Sequence, residues 1–348
     1  MGKDSTRFVG LDLGTKWVYF CVLDDEGQVV ERGRMRATLD ALTDFFRDEP
    51  RMAVILEVGS NSAWVEGVVR DLGHDVIVAN PRELPKRRKK NDREDAEYLA
   101  RTGRSDPKLL KPVKHRDLAG RRTMSMIRGR AVLVEARTRL VNHVRGTART
   151  FGCMLRSHST ECFADKVEAE LPAELSELMR PVLATLRQLT TTIRKCDRLV
   201  ERVARRSYPE TARMQQVDGV GWVTALTYLV VVQSPERFPN SRVVASYLGL
   251  CPKQQQSGDS DPQLRITKAG DRYLRTLLVG SAHYILGPFG PDCDLRRWGM
   301  QLMARGGKNA KKRAAVAVAR KLSVVLLRLW RTGDVYERLR NCPVEAAA

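Results

Sequence analysis

The chain has 348 residues, with 61 Lys and Arg against 41 Asp and Glu, a formal net charge of +20. Hydrophobic residues make up 43% and charged residues 29%, which excludes a disordered tail, and no apolar run reaches the ~18–20 residues of a membrane span. The Cys residues are scattered and form no CxxC, which excludes a disulfide framework and a cysteine zinc site. The positive surplus points to a polyanionic partner, nucleic acid first.

The length suits two or three domains, each able to bury its own core. The polar start MGKDSTR carries no apolar leader core, so a cytoplasmic location is expected. Residues 7–13 (RFVGLDL) and 17–23 (WVYFCVL) read as strands, and the turn DDEG leads to a third at 28–35, an antiparallel meander. A helix is expected at 39–47. Residues 52–58 (MAVILEV) form a continuous apolar run of the kind buried in a parallel sheet. A helix at 62–72 and a strand at 75–79 follow. Three antiparallel strands and then alternating helix and strand is the order of the ribonuclease H-like fold.

The run Lys86, Arg87, Arg88, Lys89 and Lys90 comes next, five like charges that rarely pack inside a core. Asn91 then suits the N-cap of a helix starting at Asp92. The middle of the chain is helical. Ile127, Val134, Val141 and Ala148 recur every seven residues. Val182, Leu189, Cys196 and Val203 form a second column, with Leu186, Ile193 and Val200 beside it. Such spacing predicts a coiled-coil hairpin or dimer arm, with residues 152–172 as connector.

The last part starts near Tyr208. Val217-Asp218-Gly219-Val220-Gly221 resembles the turn of a helix-hairpin-helix, ahead of an apolar helix. Residues 253–262 are polar. Residues 266–278 (ITKAGDRYLRTLL) read as a basic amphipathic helix, and Lys311, Lys312 and Arg313 sit in a basic segment beyond it. The expected architecture is α/β. It comprises a ribonuclease H-like (RuvC-like) domain at 1–110, a helical coiled-coil region at 111–207 and a mostly α-helical domain at 208–348.

Four acids stand out. Asp12 lies within the first strand, Glu57 ends the buried strand, and Asp92 and Asp95 share one face of a helix. A charge in or at the end of an apolar strand is costly unless it is paired or binds a metal. Four carboxylates meeting at one point would be hard oxygen ligation, suited to Mg²⁺ or Mn²⁺, and would serve phosphodiester chemistry. VGLDLGTK also resembles the first phosphate loop of actin-like ATPases, but no second loop of the type DxGGT follows.

With these pieces in order, the chain resembles the IS110 family of transposases over nearly its whole length. GLDLGTK with Asp12, VILEVGS with Glu57 and KNDREDA with Asp92 and Asp95 match the family's DEDD domain. QQVDGVG, ASYLGLCPKQQQSG and ITKAGDRYLRTLL match its second domain. Asn91 stands where the family often has Thr, which keeps an N-capping side chain.

The resemblance implies an RNA-guided DNA recombinase with Mg²⁺ held by Asp12, Glu57, Asp92 and Asp95. It further implies that Ser257, in QSG, is the nucleophile of a transient phosphoserine link to DNA. It also implies target and donor DNA, a structured noncoding guide RNA, dimers or tetramers through helical arms, and a composite site shared by two protomers. Lys86 to Lys90, Lys268, Arg272, Arg275, Lys311, Lys312 and Arg313 are expected to contact nucleic acid. Two readings compete with this one: a RuvC-like nuclease that uses water, and a non-catalytic RNA-binding derivative.

Overall fold

The computed structural model describes residues 7–81, 84, 91–257, 262 and 264–341. The basic run at 86–90 lies outside the described residues. The chain divides into two units, Met1–His115 and Arg116–Ala348.

In the first unit, β1 (Phe8–Leu13), β2 (Trp17–Leu23) and β3 (Val29–Arg36) form the expected meander. Helix α1 (Leu39–Phe46), strand β4 (Ala53–Glu57), helix α2 (Ser62–Asp71), strand β5 (Asp75–Ala79) and helix α3 (Asp92–Ser105) follow. The five strands make one mixed sheet in the order β3-β2-β1-β4-β5. β1 runs antiparallel to β2 and parallel to β4, and β4 runs parallel to β5. This arrangement is consistent with a ribonuclease H-like domain.

Alternation along the strands sorts their side chains onto two faces. Val9, Leu11, Val54, Leu56, Val76 and Val78 bury one face together with Leu42 and Phe46 of α1 and Val65 and Val69 of α2. The other face is covered by α3, whose Ala96 and Ala100 meet Cys21 and Leu23, while Leu99 meets Ile55 and Ala79.

The second unit opens on a pair of long helices, α4 (Leu118–Thr150) and α6 (Ala173–Ser207), with the short α5 (Phe163–Glu168) inside the connector. The pair is antiparallel. Ile127 clusters with Val200 and Ala204, whereas Val141, Val144 and Ala148 cluster with Leu183 and Leu186. Between those ends, Arg130 donates to Asp197 at 2.6 Å.

The seam differs from the expected one by one column. Leu186, Ile193 and Val200 are buried as predicted. Val182, Leu189, Cys196 and Val203 are only partly buried, and Leu183, Thr190 and Ala204 take the inner place. Apolar character alone cannot distinguish these neighbouring columns, because Thr190 and Asp197 interrupt the one that faces inward.

Helices α7 (Thr211–Met214), α8 (Trp222–Val232), α9 (Val243–Tyr247), α10 (Arg272–Leu286), α11 (Asp294–Ala304) and α12 (Ala310–Thr332) complete the unit. The apolar α8 lies at the centre of their core, with Tyr228 fully buried and its hydroxyl donating to Ser323 O at 2.7 Å. Among the described residues no helix is long and apolar enough to cross a membrane. The helix expected from residue 266 starts instead at Arg272, capped by the Asp271 carboxylate accepting from Leu274 N. The preceding residues belong to a loop, since Ile266 bridges Pro252 and Lys268 and Gly270 both have positive φ.

Candidate active site and nucleic-acid interface

Backbone register sets the positions of the strand acids. Asp12 is the fifth residue of β1 and Glu57 the last of β4. Leu11 pairs with Leu56, so Asp12 and Glu57 follow side by side at the C-terminal ends of adjacent parallel strands. Leu11 and Leu56 face α1 and α2, so by alternation Asp12 and Glu57 face the α3 side. Across the sheet, Asp12 pairs with Tyr19, and Tyr19 pairs with Arg34. One row on one face therefore carries Arg34, Tyr19, Asp12 and Glu57.

Helix α3 brings the other two acids to the same end. A Cβ on Gly10 would lie 1.9 Å from Ala96 O, so the backbones of α3 and β1 touch there. Farther along α3, Arg101 and Arg104 donate to Gly27 O and Asp25 O, in the turn just past β2, whose last residue Leu23 pairs with Phe8. α3 thus runs antiparallel to β1. From Gly10 to Asp12 is two strand residues, ~6.6 Å, and from Ala96 back to Asp92 is four helix residues, ~6 Å. Asp92 is therefore level with the strand acids, and Asp95 lies three residues, ~4.5 Å, along the helix toward Gly10. Asn91 starts the helix as predicted, its side-chain oxygen accepting from Arg93 N at 3.3 Å. Acids in this first turn also suit the helix dipole.

The four acids share one end and one face of the sheet, half-buried at Asp12, Glu57 and Asp95 and exposed at Asp92. Among the described residues, no three His, Cys, Asp or Glu side chains are close enough to hold one ion. The donor types, all carboxylate, are those a hard divalent cation takes.

Several supporting residues were not singled out from the sequence. Asn61 Nδ2 donates to Gly14 O at 2.9 Å and so ties the loop after Glu57 to the loop after Asp12. The buried Ser62 hydroxyl donates to Gly59 O, accepts from Gly59 N and meets His115 Nε2 at 2.9 Å. His115 Nδ1 in turn contacts Glu66. Arg34 and Arg36 place their guanidinium carbons 4.4 Å from the Trp17 ring centroid. Their every-second-residue spacing in ERGRMR was the available signal: it marks a cationic stripe on one face of β3. Cys21, beneath α3, is no nucleophile candidate, because burial, then Glu97, pushes its thiol above the usual range.

The second unit carries the remaining candidates. Ser257 is exposed in a loop whose ends are held together by the Pro252–Ile266 bridge and by Lys253 N donating to Arg265 O at 3.0 Å. Glycines fix the base of that loop. A Cβ on Gly249 would meet Ala269 at 2.3 Å and one on Gly270 would meet Tyr247 O at 2.2 Å, and both have φ +69.

Lys268, Arg272, Lys311, Lys312 and Arg313 are exposed. Arg275 instead directs its guanidinium at Leu248 O and Ala269 O, fastening the same two turns. The turn at 217–221 packs Gly219 against Tyr284, and Arg338 pairs with Asp218, so its glycine and its acid both have structural duties.

Residues 9–152 match the DEDD transposase family of IS110 elements, and residues 211–289 match the family described as Transposase IS116/IS110/IS902. The chain belongs to the IS110 family of transposases. It is therefore a DNA strand-transfer enzyme. It is 29% identical to a probable family 20 transposase of Pseudomonas aeruginosa over 91% of this chain and 95% of that protein. It is 25% identical to the transposase for insertion sequence element IS1111A of Coxiella burnetii, over 95% of this chain and 91% of that protein. The transposase for insertion sequence element IS1328 of Yersinia enterocolitica is also 25% identical, over 96% and 99%.

Proposed function

We propose that this transposase is a divalent-metal-dependent, RNA-guided recombinase of an insertion sequence, with its acids and its serine dividing the chemistry. The observation that carries this reading is the shared row and end of Asp12 and Glu57, with Asp92 level with them on α3 and Asp95 in the same first turn. Asp12, Glu57, Asp92 and Asp95 would hold Mg²⁺ or Mn²⁺. When bound, the ion supplies charge neutralisation at the scissile phosphate.

In the strand-transfer step the Ser257 oxygen attacks phosphorus and gives up its proton. The bond from phosphorus to the leaving sugar oxygen breaks, and that oxygen takes up a proton. A sugar hydroxyl of the second strand then reverses the exchange, releasing the serine. The number of phosphodiester bonds is unchanged, so no external energy source is needed.

The functional division follows the sequence: catalytic acids at 1–110, a helical arm at 111–207 and the serine-bearing part at 208–348. The +20 charge and the exposed cations suit DNA and a structured guide RNA. Val132, Leu178 and Leu199 remain exposed on α4 and α6, which suits pairing of arms into a dimer or tetramer. A nucleoid-associated location follows from such partners.

Suicide DNA substrates, with the cognate RNA and Mg²⁺, test this reading on a denaturing gel. Asp12→Asn is expected to abolish strand cleavage with DNA binding kept. Ser257→Ala is expected to remove every protein-linked DNA species. Cleavage by the wild type with no linked species would favour hydrolysis by water instead.

A further inference from the structure

A groove of about 870 Å³ opens in the second unit between residues 250–252 and 264–268 on one side and helices α11 and α12 on the other. Its floor is aliphatic: Leu250, Ile266, Leu302, Val316 and Ala317. Its rim carries Arg265, Lys268, Arg305, Lys312, Arg313 and Arg320, all exposed, and among the described residues no acid lines it.

The cations cost stability where they sit. Lys311, Lys312 and Arg313 occupy the first turn of α12, where positive charge opposes the helix dipole, and Asn309 provides no side-chain cap. An anion at the rim would relieve that cost. Free phosphate would satisfy the rim but leave the aliphatic floor uncovered. A duplex presents phosphates on its outside and keeps its bases stacked, so it cannot reach the floor. An unpaired nucleotide has both parts, a flat apolar base and a charged backbone, and a groove of this size is ample for it.

We propose that this groove binds an unpaired stretch of DNA strand, base against the aliphatic floor and phosphates along the cationic rim. The Pro252–Ile266 bridge joins the groove to the loop bearing Ser257. The choice of DNA rests on the strand-transfer activity. It does not depend on Ser257 being the nucleophile.

The test is equilibrium binding of a labelled single strand of roughly 12 nucleotides to the full chain. The same strand is also presented as duplex, as RNA and with abasic sugars. Ala317→Glu places an acid on the half-buried floor. It is expected to weaken single-stranded DNA about tenfold and duplex less than twofold, and to abolish the wild-type preference for the strand with bases over the abasic one. Ala317→Ser is expected to bind as wild type, and an unchanged melting temperature for both variants shows that the fold is kept.

Equal losses for duplex and single strand, or no loss at all, would overturn the proposal. So would tighter binding of RNA than of DNA. Repeating the binding with Ser257→Ala separates the two readings: unchanged affinity alongside loss of the covalent link leaves the groove standing on its own.

Discussion

Gly10 shows how one residue sets the approach of α3, with Asp92 and Asp95, to the strand that carries Asp12. It is the point where α3 touches β1, and a methyl there would meet Ala96 O at 1.9 Å and Ala100 N at 2.7 Å. Neither is a flexible side chain, so the helix itself must move. Gly10→Ala is expected to cost about 1–3 kcal/mol in thermal or urea unfolding, the usual range for overpacking. It should also carry Asp92 and Asp95 away from Asp12, so cleavage should fall well beyond what the lost stability explains. Cleavage measured at a temperature where the variant is still fully folded checks this, and wild-type cleavage there would refute the contact's role.

At this scale the sequence was most informative about the acids. Asp12 and Glu57 were conspicuous because a charge at the end of an apolar strand is costly. Asn61 and His115 were not, because a polar residue in a loop looks the same whether or not it ties two loops together.

At the scale of elements, the hairpin of α4 and α6 carries an unusual polar layer. Arg137 is buried in the seam with its Nε lacking a hydrogen-bond partner, and the buried Thr190 satisfies its hydroxyl on its own helix at Leu186 O. One turn pair away, Arg130 and Asp197 face each other. A buried guanidinium nitrogen without a partner costs stability, whereas an aliphatic side chain would fill the same seam favourably. Arg137→Leu is therefore expected to raise stability by about 1 kcal/mol in chemical denaturation. The polar layer would then act as a register marker, as single polar residues do in coiled coils. A loss of stability would mean that Arg137 holds the seam through its other nitrogens.

This layer also explains why the heptad reading placed one column wrongly. The inward column contains Thr190 and Asp197, and an apolar-spacing argument passes over it. The strands and α3 were more legible, since alternation, a buried apolar run and an Asn N-cap each act locally. The start of α10 was not, because the backbone crossing of Gly249 and Gly270, rather than amphipathic spacing, keeps residues 266–271 out of the helix.

Across the whole chain, the charge of +20 sets how binding responds to salt. Each phosphate neutralised releases condensed counterions, so affinity falls linearly on a log–log plot, by ~0.7 per contact for a single strand and ~0.9 for a duplex. Net charge alone cannot say which cations contribute. The structure separates them: Arg275 is spent on carbonyls, Arg313 donates to Gly306 O, and Arg187 pairs with Asp165 and Glu168, while Arg305, Lys312 and Arg320 stand on the groove rim.

Replacing those three rim residues by Ala should lower the single-strand slope by about 2, three contacts at ~0.7 each. Replacing three exposed arginines of the long hairpin, Arg139, Arg149 and Arg198, changes the net charge equally. If binding followed the overall field alone, the two triple variants would show the same slope. A slope that falls only for the rim variant assigns the contacts to the groove, and equal slopes would return the effect to the charge of the molecule as a whole.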